Sequence, residues 1–218
     1  MGSFLVIGMG RFGSSIAINL HEMKHDVLVV EANEDIVSTI ADKVTDVIIG
    51  DVKDETLLRS LGVKNFDCSI VAIGDAIEDS VLTTIMLKEM GAKKVVCKAK
   101  NEWHAKILAQ LGVDKVICPE SDMGKRVAHS LAQQNIIDYL EISPDYGIVE
   151  VVTPTHWVGK SVIELHLRRK FGITVIAIRS STSGEVLFSP GGDMMLHQND
   201  VLTVIGLNKD LDKVCALR

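Results

Sequence analysis

Several features that would fix a function class at once are missing from this chain of 218 residues. No apolar run approaches the roughly 18 to 20 residues that a membrane-spanning helix needs. The first residues also lack the charged-then-apolar layout of a secretory signal. The chain is therefore expected in the cytoplasm, with no direct membrane insertion. There is no Lys/Arg block: 23 basic residues stand against 29 acidic ones, for a net charge of -6, which argues against nucleic acid or anionic lipid as a direct partner. A DNA-binding repressor would need a basic winged helix-turn-helix, and none is visible.

Chemistry-bearing patterns are equally sparse. Cys68, Cys97, Cys118 and Cys215 form no CxxC pair, and the first three sit in runs that read as buried strands, so all four are expected to be core thiols. GxSxG, HExxH and zinc-ligand spacings are absent. His21 and His25 are expected to be exposed, with the first helix ending between them, and His156, His166 and His197 are isolated and expected at the surface. Hydride transfer would require a domain supplying a proton donor and a carboxylate anchor, and the C-terminal part offers no obvious site for either. The chain is accordingly not read as an enzyme.

What is present is a regular alternation. With 47% apolar residues the chain can build a real core. From Ser3 to about Pro119, six β-branched runs (SFLVI, DVLVVE, DVIIG, CSIVAIG, KVVCKA, KVICP) alternate with amphipathic stretches. That pattern predicts βαβ units on a doubly wound parallel Rossmann sheet, covered on both faces. Phe12, Ile16, Leu20 and Met23 are expected to share one helix face, as are Trp103, Ile107 and Leu111. Gly91 and Gly112 fall where C-terminal caps belong. A further helix from about Ser121 to Tyr139, with Met123, Val127 and Leu131 and then Ile136, Ile137 and Leu140, carries more apolar surface than one sheet needs and suggests packing on a second copy. The turn segment EISPDYG marks a boundary, giving domains at residues 1–140 and 141–218. The second is read as a smaller α+β unit.

The strongest single signal is GMGRFG. Gly8, Gly10 and Gly13 follow the first strand and open the first helix, and Glu31 ends the second strand 18 residues later. This is the context of the dinucleotide fingerprint: a tight turn, close approach of phosphate to backbone, close helix–strand packing, and an acid for ribose hydroxyls. The acid disfavours a 2′-phosphate, so NADP is not expected. Arg11 opposes the helix dipole by about 0.3 to 1 kcal/mol, which points to a compensating anion and to ATP or ADP without excluding NAD. Asp51, Gly74, Asp75, Lys98 and Glu120 lie at strand C-termini, where the ligand crevice of such a sheet forms. Lys98, in an apolar run, needs an anionic partner, either a ligand or an internal carboxylate. Glu120 reads equally as a first-turn carboxylate.

The ordered series IGMGRFG with Glu31, VAIGDAIEDSVLTTIMLKEMGAKKVVCKAKN, VICPESDMGKRVAHSL and GGDMMLHQNDVLTVIG resembles the RCK (regulator of potassium conductance) family over essentially the whole chain. These are the KtrA/TrkA-type cytoplasmic subunits of bacterial potassium-uptake systems. The resemblance implies a nucleotide-sensing gating subunit, peripheral to the inner face of the membrane through a potassium-translocating partner and assembled as dimers into an octameric ring. It implies nucleotide contacts at Gly8, Gly10, Arg11, Phe12, Gly13, Glu31, Asn33, Asp51, Ile73, Gly74 and Lys98, with ATP or ADP as ligand. It places Glu120 near the terminal phosphate across the dimer, as a site for a divalent cation, and cyclic di-AMP at the dimer interface of the C-terminal domain around Arg168, Arg169 and Ile178. An NAD(H)-binding redox sensor or NAD-dependent oxidoreductase is the alternative. Glu31 stands where the family commonly has Asp.

Overall fold

The computed structural model describes residues 1–132 and 136–217, which divide into two compact units, Met1–Ser121 and Asp122–Arg218. In the first unit, strands β1 (Ser3–Ile7), β2 (Asp26–Glu31), β3 (Asp46–Ile49), β4 (Cys68–Val71), β5 (Val95–Lys98) and β6 (Lys115–Ile117) alternate with helices α1 (Arg11–Glu22), α2 (Glu34–Ile40), α3 (Glu55–Ser60), α4 (Ile77–Glu89) and α5 (Glu102–Gln110). The sheet is parallel in the order β3-β2-β1-β4-β5-β6. The strand order reverses between β1 and β4, so the crevice of a doubly wound sheet opens there.

Alternate residues of each strand feed opposite cores, as a sheet covered on both faces requires. Leu5 and Ile7 join Leu58, Leu87 and Leu108 on one face, whereas Val6 joins Val27, Ala17 and Ile40 on the other. Ile7 pairs with both Val30 and Val71, which brings the C-terminal ends of β1, β2 and β4 level. Residues that leave those three strands therefore emerge side by side. Gly91 and Gly112 follow α4 and α5 with φ of +78° and +69°, as expected of C-terminal caps.

Two apolar faces differ from expectation. In α5 the buried residues are His104 and Leu108, whereas Trp103 and Ile107 are 74% and 45% exposed. Capping sets this rotation: the Asn101 side chain accepts the His104 N–H (2.9 Å), and His104 Nδ1 accepts the Lys100 N–H (3.2 Å), which turns the imidazole inward. Met23 lies beyond the end of α1 and is exposed. His25, expected at the surface, is half-buried because its Nδ1 accepts the Gly2 N–H (3.0 Å) and its ring meets Phe4 edge-on. His21 is half-buried too, while His156, His166 and His197 are exposed.

Helix α6 (Pro119–Ala132) runs from the first unit into the second. The helix expected to reach Tyr139 ends sooner: Ile136–Glu141 is a strand, β7. Residues 133–135 of that expectation lie outside the described residues. The reason is local chemistry: the β-branched pair Ile136-Ile137 precedes Asp138 and Tyr139, and β propensity with pairing to a neighbour outweighs helical spacing. EISPDYG, expected as a domain boundary, is instead the turn that joins β7 to β8 (Tyr146–Val152) in one antiparallel sheet. The division at Ser121/Asp122 thus precedes the boundary expected at residue 140.

The second unit adds α7 (Val162–Leu165), α8 (Leu167–Phe171), β9 (Thr174–Arg179), β10 (Val186–Phe188), β11 (Val201–Leu207) and α9 (Asn208–Cys215). Its sheet runs β10-β9-β11-β8-β7. Along β8 and β11 burial alternates residue by residue, so each strand buries one face. Trp157, 1% exposed, anchors this core and meets Phe171 edge-to-face at 5.5 Å. A Ser161–Glu164 capping box starts α7. The small α+β unit is as expected in class.

Cys68, Cys97 and Cys215 are buried, and Cys118 is half-buried. Burial pushes the Cys97 and Cys215 thiols up to about 11, which keeps them protonated and unreactive at neutral pH.

Candidate functional site

The site forms where β1 hands over to α1. Gly8 has φ of +87°, a left-handed turn that residues with a side chain rarely adopt. A Cβ on Gly13 would stand 2.0 Å from the Gly8 carbonyl oxygen and 3.0 Å from the Ala72 Cβ, so only glycine lets α1 close onto the strand ends. Gly10 is different: a Cβ there meets nothing within 4 Å, and its φ of -63° is open to any residue. Its hydrogen therefore faces open space, as the approach of a phosphate to the backbone requires.

The helix that Gly10 begins is electrically unfinished. Helices α2, α3 and α5 are capped by the side chains of Asn33, Asp54 and Asn101 and carry acids in the first turn. No side chain caps α1, and its first turn holds no acid. Free N–H groups at the positive end of a helix are an anion site, and Arg11 adds a formal charge to it.

Glu31 leaves β2 beside this loop. Its carboxylate accepts the Met9 N–H (2.6 Å) and the Asn33 N–H (2.9 Å), so the acid fastens the glycine loop to the end of β2. A carboxylate has about four lone-pair directions, which leaves capacity for ribose hydroxyls. Glu31 lines a cavity of about 370 Å³ with Gly8, Gly10, Asp51, Ile73 and Gly74. A second cavity of about 540 Å³ is lined by Gly10, Arg11, Phe12, Gly74, Lys98 and Glu120. Gly10, Ala72, Gly74 and Asp75 line both, so the two form one crevice along the strand ends.

Lys98 settles between its two expected roles in part. Its Nζ donates to Glu120 Oε1 at 2.7 Å and lies 6.0 Å from the Phe12 ring centroid, with the lysine side chain 15% exposed and the glutamate 70% exposed. The hydrogen bond from Lys98, aided by the nearby charge of Arg11, holds the Glu120 carboxyl below its usual range. A Cβ on Gly74 would come within 3.1 Å of the Lys98 Nζ, so glycine there gives the ammonium its room.

Eleven of the twelve expected contacts line the crevice or build its loop: Gly8, Gly10, Arg11, Phe12, Gly13, Glu31, Asp51, Ile73, Gly74, Lys98 and Glu120. Asn33 does not line either cavity; its side chain is spent on the N–H groups of Asp35 and Ile36 (2.9 and 3.3 Å), while its own N–H ties it to Glu31. Three lining charges were missed. Lys53 lies 3.6 Å from Asp51 and 3.7 Å from Asp79, and Lys100 donates to the Asp75 carbonyl at 3.3 Å. Lys100 was within reach of the strand-end rule, two residues beyond Lys98. Asp79 sits in the first turn of a helix, which the rule does not single out.

The residues fit an adenine nucleotide: an open backbone cradle at Gly10, an uncapped helix start, a ribose acceptor, and a second cavity with Arg11, Lys98 and Lys100 against Asp75 and Glu120. They fit a resident metal less well. Among the described residues no group of three or more His, Cys, Asp or Glu side chains is placed to hold an ion, and Glu120 is already engaged by Lys98. In the second unit, Arg168 and Arg169 line a cavity of about 360 Å³, but Ile178, expected beside them, is a core residue of β9 and 2% exposed.

A parallel 3-2-1-4-5-6 sheet with this loop, an acid at the end of β2 and a crevice holding Arg11, Lys98 and Lys100 at its far end defines a Rossmann-type nucleotide-binding domain. Comparison with known proteins narrows the class. The TrkA-N domain family matches residues 4–119 and the TrkA-C domain family matches residues 147–218. Over 210 residues the chain is 41% identical to Ktr system potassium uptake protein C of Bacillus subtilis (strain 168), covering 96% of this chain and 94% of that protein. It is 40% identical, with the same coverage, to Ktr system potassium uptake protein A of the same organism. Ktr system potassium uptake protein A of Vibrio alginolyticus is 30% identical over 93% of this chain and 91% of its own length. The chain belongs to the TrkA-N/TrkA-C family of these Ktr potassium-uptake proteins. Its fold is shared with the GsuK RCK domain (TM-score 0.67, 19% identity, 99% of this chain, 47% of that one) and the NAD-bound GsuK channel (TM-score 0.66, 18% identity, 96% and 38%).

Proposed function

We propose that this chain is a nucleotide-sensing regulatory subunit of a Ktr-type potassium-uptake system, acting at a potassium-translocating membrane subunit and not as an enzyme. The observation that carries the reading is the open cradle at Gly10: an uncapped, acid-free helix start facing empty space, with Glu31 on one side and Arg11, Lys98 and Lys100 on the other. The ordered similarity to Ktr proteins over nearly the whole chain supports the partner.

ATP or ADP is the preferred ligand. The base and ribose occupy the cavity beside Glu31 and Asp51, and the phosphates cross Gly10 into the cationic cavity. A ligand shifts an equilibrium between two shapes of the assembly only by its differential affinity for them, and the terminal phosphate is what distinguishes ATP from ADP. Arg11 senses that phosphate. Self-association is supported by α6, which buries no residue in this chain and presents Met123, Val127 and Leu131 at four-residue spacing, 52%, 47% and 80% exposed. Assembly as dimers in an octameric ring peripheral to the cytoplasmic face of the membrane follows from this reading.

The test is potassium uptake. Co-expressed with a Ktr-type translocating subunit in a bacterium that lacks its own high-affinity uptake, the chain restores growth at limiting potassium and the Arg11→Ala variant does so poorly. In binding experiments Arg11→Ala loses discrimination between ATP and ADP more than it loses affinity for their shared adenosine part. Equal losses for both nucleotides would remove Arg11 from the terminal phosphate, and full rescue by a chain that binds no nucleotide would overturn the sensing role.

A further inference from the structure

The Lys98–Glu120 pair stands inside the proposed phosphate cavity, not beside it. Both residues line that cavity with Gly10, Arg11 and Phe12. The lysine is confined: its side chain is 15% exposed, its ammonium is packed over Gly74, and the Phe12 ring flanks it. The glutamate is not: its side chain is 70% exposed and projects from the first turn of α6. A phosphate at the α1 N-terminus and the Glu120 carboxylate are thus two anions with one ammonium between them.

Resting on the nucleotide reading above, we propose that Glu120 is a built-in competitor for the phosphate site. It occupies Lys98 when the crevice has no phosphate, and an incoming phosphate takes Lys98 from it and displaces the carboxylate outward. The physical basis is the unequal freedom of the partners. Lys98 cannot follow Glu120 out of the cavity, whereas Glu120 has solvent to move into, and two negative groups on one cation repel at short range. The displaced residue belongs to the helix that continues from Ser121 into the second unit. Occupancy of the crevice is thereby coupled to the start of that helix through the exchange of one ionic partner.

The experiment is calorimetric titration of ADP, with adenosine as a phosphate-free control, into the full chain in the presence of EDTA. Five proteins are compared: the parent, Glu120→Gln, Glu120→Asp, Lys98→Met and the double variant Glu120→Gln/Lys98→Met, the last referred to Lys98→Met and the other Glu120 variants to the parent. Removal of a part-exposed ionic competitor tightens ADP binding by about two- to five-fold, with adenosine binding unchanged. Glu120→Asp keeps the charge but is one methylene too short to hold Lys98, so it tightens ADP binding in the same way. In the Lys98→Met background the Glu120→Gln gain disappears, as a coupled pair requires. A gain with Gln but none with Asp, or a gain that persists without Lys98, means that Glu120 acts only as a distant charge and overturns the competition. The Asp arm decides this even if the Lys98→Met chain does not fold. Failure of every protein to bind ADP overturns the nucleotide reading, and the proposal with it.

Discussion

Gly10→Ala and Gly13→Ala are the same chemical change three residues apart, and the geometry predicts opposite outcomes. At Gly13 the new Cβ would lie 2.0 Å from the Gly8 carbonyl oxygen, a backbone atom that cannot rotate away. Helix α1 must move off β1, and overpacking of this kind costs about 1 to 3 kcal/mol. For a chain of this size that corresponds to a fall in melting temperature of roughly 2 to 12 °C. At Gly10 the Cβ meets nothing within 4 Å and the backbone has φ -63°. Loss of unfolded-state freedom stabilises alanine there by about 0.4 to 1 kcal/mol, and its poorer rank as an N-cap offsets a similar amount. Stability should be unchanged, yet the methyl group occupies the space through which phosphate reaches the backbone. Losing one or two charge-assisted hydrogen bonds at about 1.5 to 3 kcal/mol each weakens ADP binding by at least about ten-fold. Thermal melts and calorimetry on both variants decide the matter. A Gly10→Ala protein that melts like the parent and binds ADP like the parent would refute the placement of phosphate at the α1 N-terminus.

Three other expectations follow from the packing. Asn33→Ala removes the α2 cap and lowers stability by about 1 kcal/mol, read by urea unfolding, with only a small effect on nucleotide affinity because its side chain faces the helix rather than the crevice. Trp157→Ala empties the centre of the second core and costs about 3 to 5 kcal/mol, seen as loss of the near-ultraviolet circular dichroism of that unit while the first unit stays folded. His104 is buried with Nε2 unpartnered, and burial holds its pKa below the ordinary 6.5. The unfolded chain therefore takes up a proton more readily than the folded one, so stability is full above about pH 6.5 and falls as the pH drops through and below that value. A His104→Gln variant should show a shallower decline of stability with acid, and an unchanged slope would assign the acid sensitivity to other groups.

Much of the crevice was legible because it depends on backbone constraints that leave a mark in sequence. Gly8 and Gly13 are glycines for steric reasons confined to a few neighbouring atoms, and Glu31 ends a strand whose register is set by β pairing. Once the parallel order is known, Asp51, Gly74, Lys98 and Glu120 must lie at one edge. What was not legible depends on contacts between elements. Lys98 pairs with Glu120 while lining the crevice, and nothing in an isolated run says that Glu120 will reach it. Lys53 and Asp79 face each other only because a loop and a helix converge. The rotation of α5 is hidden in the sequence because Trp103 and Ile107 have helical spacing but the caps at Asn101 and His104 decide which face turns inward. Ile136-Ile137 was read as helix because apolar spacing over a short window is compatible with either period, and only the pairing with β8 distinguishes them.

A nucleotide-sensing role is tested most directly by calorimetric titration of the purified chain with ATP, ADP, NADH and NAD, with light scattering on the same samples. Tight binding of ATP and ADP by a particle the size of an octamer is the expected result. Preference for NADH on a dimer, or binding of none of the four, would contradict it.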